Sequence, residues 1–104
     1  MKKFNAILEE LPDISHIEKI KLLNNNDQFE YILNKPGAQG SVKLYNHLFL
    51  VFGELNMNAA MAGLDLYCEH VEDAKNNPGK HPNIDRLIDI TSSKETLRIE
   101  IIQN

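Results

Sequence analysis

Phe4, Ile7, Leu8 and Leu11 recur at i, i+3, i+4 and i+7, the spacing of one helix face. Pro12 ends that run, because the residue before a proline is pushed out of the helical region. A short helix over residues 2–11 is predicted. From Ile14 to Leu23 two patterns overlap. Ile14, Ile17 and Ile20 lie three apart, as on a helix, whereas Lys19-Ile20-Lys21-Leu22 alternates, as on a strand. The next stretch decides between them. Asn24-Asn25-Asn26-Asp27 is turn chemistry, since Asn and Asp tolerate positive φ and bond their own backbone. Beyond it Phe29, Tyr31 and Leu33 alternate with Gln28, Glu30 and, less cleanly, Ile32. The pattern predicts a hairpin with strands at 16–23 and 28–34, with a helix over 14–23 as the alternative.

Asn34 to Ser41 is a loop with Pro36, Gly37 and Gly40, and Ser41 is a candidate N-cap for the helix that follows. Val42 to Phe52 is apolar enough for a buried strand, but Lys43, Asn46, His47 and Glu54 make a narrow wet stripe at helical spacing. Leu50 falls inside that stripe and is expected to be partly exposed; Gly53 ends the helix. A longer helix follows, capped by Asn56 or Asn58. Its predicted core stripe is Met61, Leu64, Cys68 and Val71, with Ala60, Tyr67 and Ala74 alongside, opposite Asp65, Glu69, Glu72 and Asn76. Asn76-Asn77-Pro78-Gly79 stops it. Pro82 opens a short helix in which Ile84, Leu87 and Ile88 share a face, Thr91 to Lys94 is a turn, and Leu97, Ile99 and Ile101 alternate with Arg98 and Glu100 as a last strand. Strands segregated from helices predict an α+β fold: a small antiparallel sheet, the hairpin plus the C-terminal strand, with three to four helices on one face.

A chain of 104 residues fits one domain, and at 42% hydrophobic and 25% charged residues it has ordinary globular composition. The net charge of -4 lacks the basic footprint of nucleic-acid binding and disfavours acidic membrane surfaces. Cys68 is the one cysteine, which rules out an intrachain disulfide and fits a reducing compartment. Met1-Lys2-Lys3 carries charge like the start of a signal peptide, but Glu9 and Glu10 stand where its apolar segment belongs. With no apolar run near the roughly 20 residues of a membrane span, a cytoplasmic protein is expected.

Two segments concentrate candidate chemistry. In Lys35-Pro36-Gly37-Ala38-Gln39-Gly40-Ser41, glycines and a helix N-terminus suit an anion, and Lys35 adds a full charge. The order is not that of a P-loop, and a Pro-Gly type II turn with a serine cap accounts for the same residues. Asn77-Pro78-Gly79-Lys80-His81-Pro82-Asn83-Ile84-Asp85-Arg86 gathers polar groups around two prolines, which limit chain entropy and hold side chains in place. An ordinary helix-to-helix connection with a type II turn is the simpler account of the same residues. If the loops converge, Lys35, Lys80, His81 and Arg86 would make a positive site, with Gly37, Gly40, Ser41, Asn83 and Asp85 beside it. No metal or other cofactor is expected: His47, His70, His81, Cys68, Asp65 and Glu69 include no zinc-type spacing. Asp65 and Glu69 lie one helical turn apart, close enough to share a cation, but carboxylates on the outer face of a helix are usually just solvated. Cys68 falls on an apolar stripe and is expected to be inert.

Both polar segments, Asn34-Lys35-Pro36-Gly37…Gly40-Ser41 and Asn77 to Leu87, resemble a family of short uncharacterised proteobacterial proteins over essentially the whole chain. That resemblance implies a bacterial cytoplasmic setting and supplies no catalytic residue, substrate or cofactor. The leading expectation is a non-enzymatic binding or interaction module that uses the Pro-Gly-Lys loops. Its partner would be a protein or a second copy of itself, with Leu50 and Leu66 as a candidate dimer patch. The alternative is a small enzyme or sensor holding a phosphorylated or anionic metabolite between residues 35–41 and 77–86, with His81 as the acid–base group.

Overall fold

The ambiguous early segment, Ile17 to Leu23, is a strand paired on both sides, with Ile20 and Leu22 buried and Lys19 and Lys21 half-buried in alternation with them. A computed structural model describes residues 3–104. Met1 and Lys2, part of the expected first helix and of the signal-like start, lie outside the described residues. The order is α1 (Phe4–Glu10), β1 (Ile17–Leu23), β2 (Phe29–Leu33), α2 (Gln39–Phe52), α3 (Met57–Tyr67), α4 (His70–Asn76), α5 (Pro82–Ser93) and β3 (Arg98–Gln103). β1 lies in the middle of an antiparallel sheet ordered β2-β1-β3. Ile20, Leu22, Ile32 and Ile99 turn inward and are buried. Ile17 would face outward by strict alternation. An extra residue between Ile17 and Lys19 in the β1–β3 register turns it inward instead, a β-bulge.

The α+β architecture matches the expectation, with five helices in place of three or four. α2 packs on β1 and β2 on one side and on α1 and α3 on the other. That double covering buries Asn46, which the sequence placed on a wet stripe, at 4% exposure. Leu44, Tyr45, Leu48, Leu55 and Leu87 are fully buried; each large apolar side chain so placed is worth roughly 1.5–3 kcal/mol. Among the described residues no helix is long and apolar enough to cross a membrane.

Four local expectations are corrected. Ser41 does not cap α2: Ala38 holds that position and Ser41 lies inside the first turn. The long helix after Asn56 is two helices, α3 and α4, broken at Cys68, whose φ is 53° and ψ -121°. The α3 stripe is also shifted: Met61 is exposed, while Ala59 and Gly63 are buried. A Cβ on Gly63 would come within 2.7 Å of Leu87 and 3.0 Å of Leu48, so the missing side chain lets α3 pack closely on α2 and α5. Finally, residues 91–93 continue α5, which ends on Lys94 in left-handed conformation. Leu66 packs against the core, while Leu50 is exposed as expected, next to an equally exposed Val51. Asn56 caps α3 and Gly53 ends α2, both as predicted.

Candidate functional site

The two Pro-Gly segments fold alike. In each, the N–H after the glycine donates back to the carbonyl three residues earlier, Ala38 to Lys35 and Lys80 to Asn77. Gly37 and Gly79 stand at φ 93° and 92°. These are type II turns, whose third residue needs positive φ and therefore glycine. The second turn is tied down further: the Gly79 N–H donates to the Asp85 carboxylate at 2.9 Å.

Both turns deliver the chain to one cleft of about 580 Å³. One wall is the start of α2, from Gly37 to Ser41, and the other runs from Lys80 to Ile84 at the start of α5. Phe4, Tyr67 and His70 line the cleft between them. Phe4 stacks on Tyr67 with centroids 5.2 Å apart, His70 meets Phe4 edge-on, and His81 lies 6.0 Å from His70. α1 is held over this site by an N–H of Phe4 donated to Glu69 at 3.0 Å, a bond that lowers the Glu69 carboxyl below its ordinary pKa. Gly40 has no Cβ because Leu8 and Phe4 sit 3.2 and 3.3 Å from where it would be.

Two electrostatic features mark the cleft. No side chain caps α2, so the Gln39, Gly40 and Ser41 N–H groups have no intrahelical acceptor, at the positive end of a 14-residue helix dipole. Moreover, not one cleft-lining residue is an Asp or Glu, although the chain carries 15 acids and a net charge of -4. Lys80, His81 and His70 supply its ionisable groups. Asp73 stands behind them: its Oδ2 accepts from His81 Nε2 at 2.6 Å and pairs with Lys80 Nζ at 3.1 Å. Those two hydrogen bonds, His81 first, lower the Asp73 carboxyl from its ordinary range.

Gly37, Gly40, Ser41, Lys80, His81 and Asn83 thus share one site. Lys35 does not; it borders a second cleft with Glu18, Lys19 and Asn34. Asp85 is engaged by the Gly79 N–H. Arg86 turns away, its guanidinium bonding Glu30 of β2, the Tyr45 hydroxyl and Asn83 Oδ1. It ties α5 to the sheet and to α2. Tyr45 in turn donates to the Asn83 carbonyl, and burial pushes its pKa up to about 12. Ser41 Oγ shares a 2.7 Å hydrogen bond with the Tyr67 hydroxyl, whose pKa burial raises strongly. Among the described residues no three His, Cys, Asp or Glu side chains gather as a metal-ligating set. Phe4, Tyr67 and Asp73 were absent from the sequence-derived site, since only the fold brings them to it.

A family model built on uncharacterised proteins conserved in bacteria (DUF2322) matches residues 4–101, nearly the whole chain. The chain belongs to that family. The matched span includes every cleft residue named above. No curated protein and no solved structure matches the chain.

Proposed function

We propose that this protein is a non-enzymatic binding module that holds the phosphate or carboxylate group of a small molecule in the cleft between residues 37–41 and 80–84. The observation that carries the reading is a carboxylate-free cleft on an acidic chain, opening onto the uncapped N-terminus of α2. A helix start presents N–H groups and about half a positive charge to an anion. In this reading the Gln39, Gly40 and Ser41 N–H groups bond the anion's oxygens. Lys80, paired with Asp73, and His81, whose ring Asp73 orients, add side-chain donors. The apolar faces of Phe4 and Tyr67 take the rest of the ligand. Several groups support binding over catalysis. Ser41 is engaged by Tyr67, and Tyr67 holds its proton because burial raises its pKa. The Cys68 thiol, raised chiefly by desolvation, lies on a different groove.

A thermal-shift panel of inorganic phosphate, nucleotides and sugar phosphates tests this. A ligand at 100 times its Kd stabilises by about 2.7 kcal/mol. Lys80→Ala and His81→Ala are expected to abolish the shift and Lys35→Ala to preserve it. A panel with no shift, or a shift insensitive to both cleft variants, contradicts the reading.

A further inference from the structure

α1 contributes Phe4, Asn5 and Leu8 to the lining of the cleft. Of its seven residues only Phe4 is buried, and the Lys3 side chain makes no capping bond. A helix this short is marginal by itself, so α1 keeps its form by docking. The docking contacts gather at Phe4. Its N–H donates to Glu69, its ring stacks on Tyr67, and His70 meets that ring edge-on. Beyond α1 the chain is anchored from Ile14 onward. The Asn34 amide donates to the Ile14 and Ile17 carbonyls, and the Asn104 amide to the Ser15 carbonyl. Between that anchor and the last α1 bond, from the Leu11 N–H to Leu8, lie Pro12 and Asp13, both exposed. Pro12 has no N–H to give, and the Asp13 carboxylate accepts from Ser15, on the anchored side. A short element with one buried side chain and an exposed two-residue joint is the kind that opens locally, ahead of the core.

We infer that α1 is a lid on the cleft, hinged at Pro12 and Asp13 and held shut by the bound ligand; the ligand's part in this rests on the anion reading proposed above. A ligand shifts such an equilibrium only through contacts that differ between the two states. Here those are contacts with Phe4, Asn5 and Leu8, which line the cleft only while α1 is docked. The walls from α2 and α5 stay in place when α1 swings away, so an open cleft still admits the anion. Gly40 sets how closely the lid seats. A Cβ there would stand 3.2 Å from Leu8 Cδ1 and 3.3 Å from the Phe4 ring, so those side chains would have to give way. Gly40→Ala therefore favours the open lid. Phe4→Leu does the same by removing the ring that stacks on Tyr67.

Amide hydrogen exchange on the full chain, with and without inorganic phosphate, tests the lid. The Ile7 and Leu8 amides of α1 are expected to exchange at least about 100-fold faster than those of Leu44 and Leu48, which lie in the buried part of α2. The α2 amides open with the whole molecule, so bound phosphate slows them by mass action whether or not α1 is a lid. Only a lid that the ligand holds shut makes phosphate, at 100 times its Kd, slow Ile7 and Leu8 as well, by at least about tenfold. Gly40→Ala and Phe4→Leu should each widen the gap between the α1 and α2 amides. α1 amides as slow as those of α2, or a gap that neither variant widens, overturns the lid. Phosphate that slows Leu44 and Leu48 but not Ile7 and Leu8 overturns it too, and leaves the anion reading standing. Phosphate that slows neither pair removes the anion reading, and the ligand-held lid with it.

Discussion

Cys68 stands where glycine would be at ease. At φ 53° and ψ -121° its Cβ crowds the backbone, a conformation that costs about 1–3 kcal/mol in a non-glycine residue. Its thiol donates to the Asp65 carbonyl at 3.3 Å, which recovers part of that cost. Cys68→Gly is therefore expected to raise stability by about 1 kcal/mol, after the entropy of the new glycine is subtracted. Cys68→Ala keeps the strained backbone and should gain nothing. Thermal melts of the two variants check this, and a loss of stability in Cys68→Gly contradicts it. The strain was not legible in the sequence. Cysteine fits the apolar spacing that runs from Met61 to Val71, and nothing in its residue type signals a break. The same run hid the value of Gly63, because helical spacing counts large side chains and α3 packs through an absent one.

The joint between α4 and α5 works through Asp73, which holds Lys80 and His81 from one turn of α4. The Asn77 side-chain amide also donates to Asp73, through its backbone carbonyl and its carboxylate. The bonds from His81 and then Lys80 lower the Asp73 carboxyl from its ordinary 3.8. A carboxylate depressed in the folded state stabilises the fold above its unfolded pKa, and that contribution fades as pH falls through the folded value. Asp73→Asn is thus expected to lower Tm at neutral pH, and the gap to wild type should close as pH drops past 3.8. A gap that persists unchanged in acid would assign Asp73 a role of shape rather than charge. At this scale the sequence was informative. Pro-Gly pairs specify type II turns locally, and the caps at Gly53 and Asn56 and the proline that opens α5 are local too. The partners of Arg86 were not, because Glu30 and Tyr45 lie 56 and 41 residues away in the chain. A basic residue counted toward a positive site is instead a pin between elements.

The convergence of the two turns is a property of the whole molecule. α5 comes alongside α3 and is tied to α2 through Tyr45, and α1 folds back over Gly40, so that the starts of α2 and α5 border one cleft. Composition gives a mildly acidic chain, and only the fold gathers a region from which carboxylates are missing. That region is where the proposed reading puts an anion, on a chain whose net charge is -4. An ¹⁵N-labelled sample titrated with inorganic phosphate and with a sugar phosphate measures this most directly. The amide signals of Gln39, Gly40 and Ser41 are expected to shift together and saturate, and the Lys80→Ala variant to abolish the response. Amides that stay fixed, or shifts that fall along β2 instead, would contradict an anion site at the start of α2.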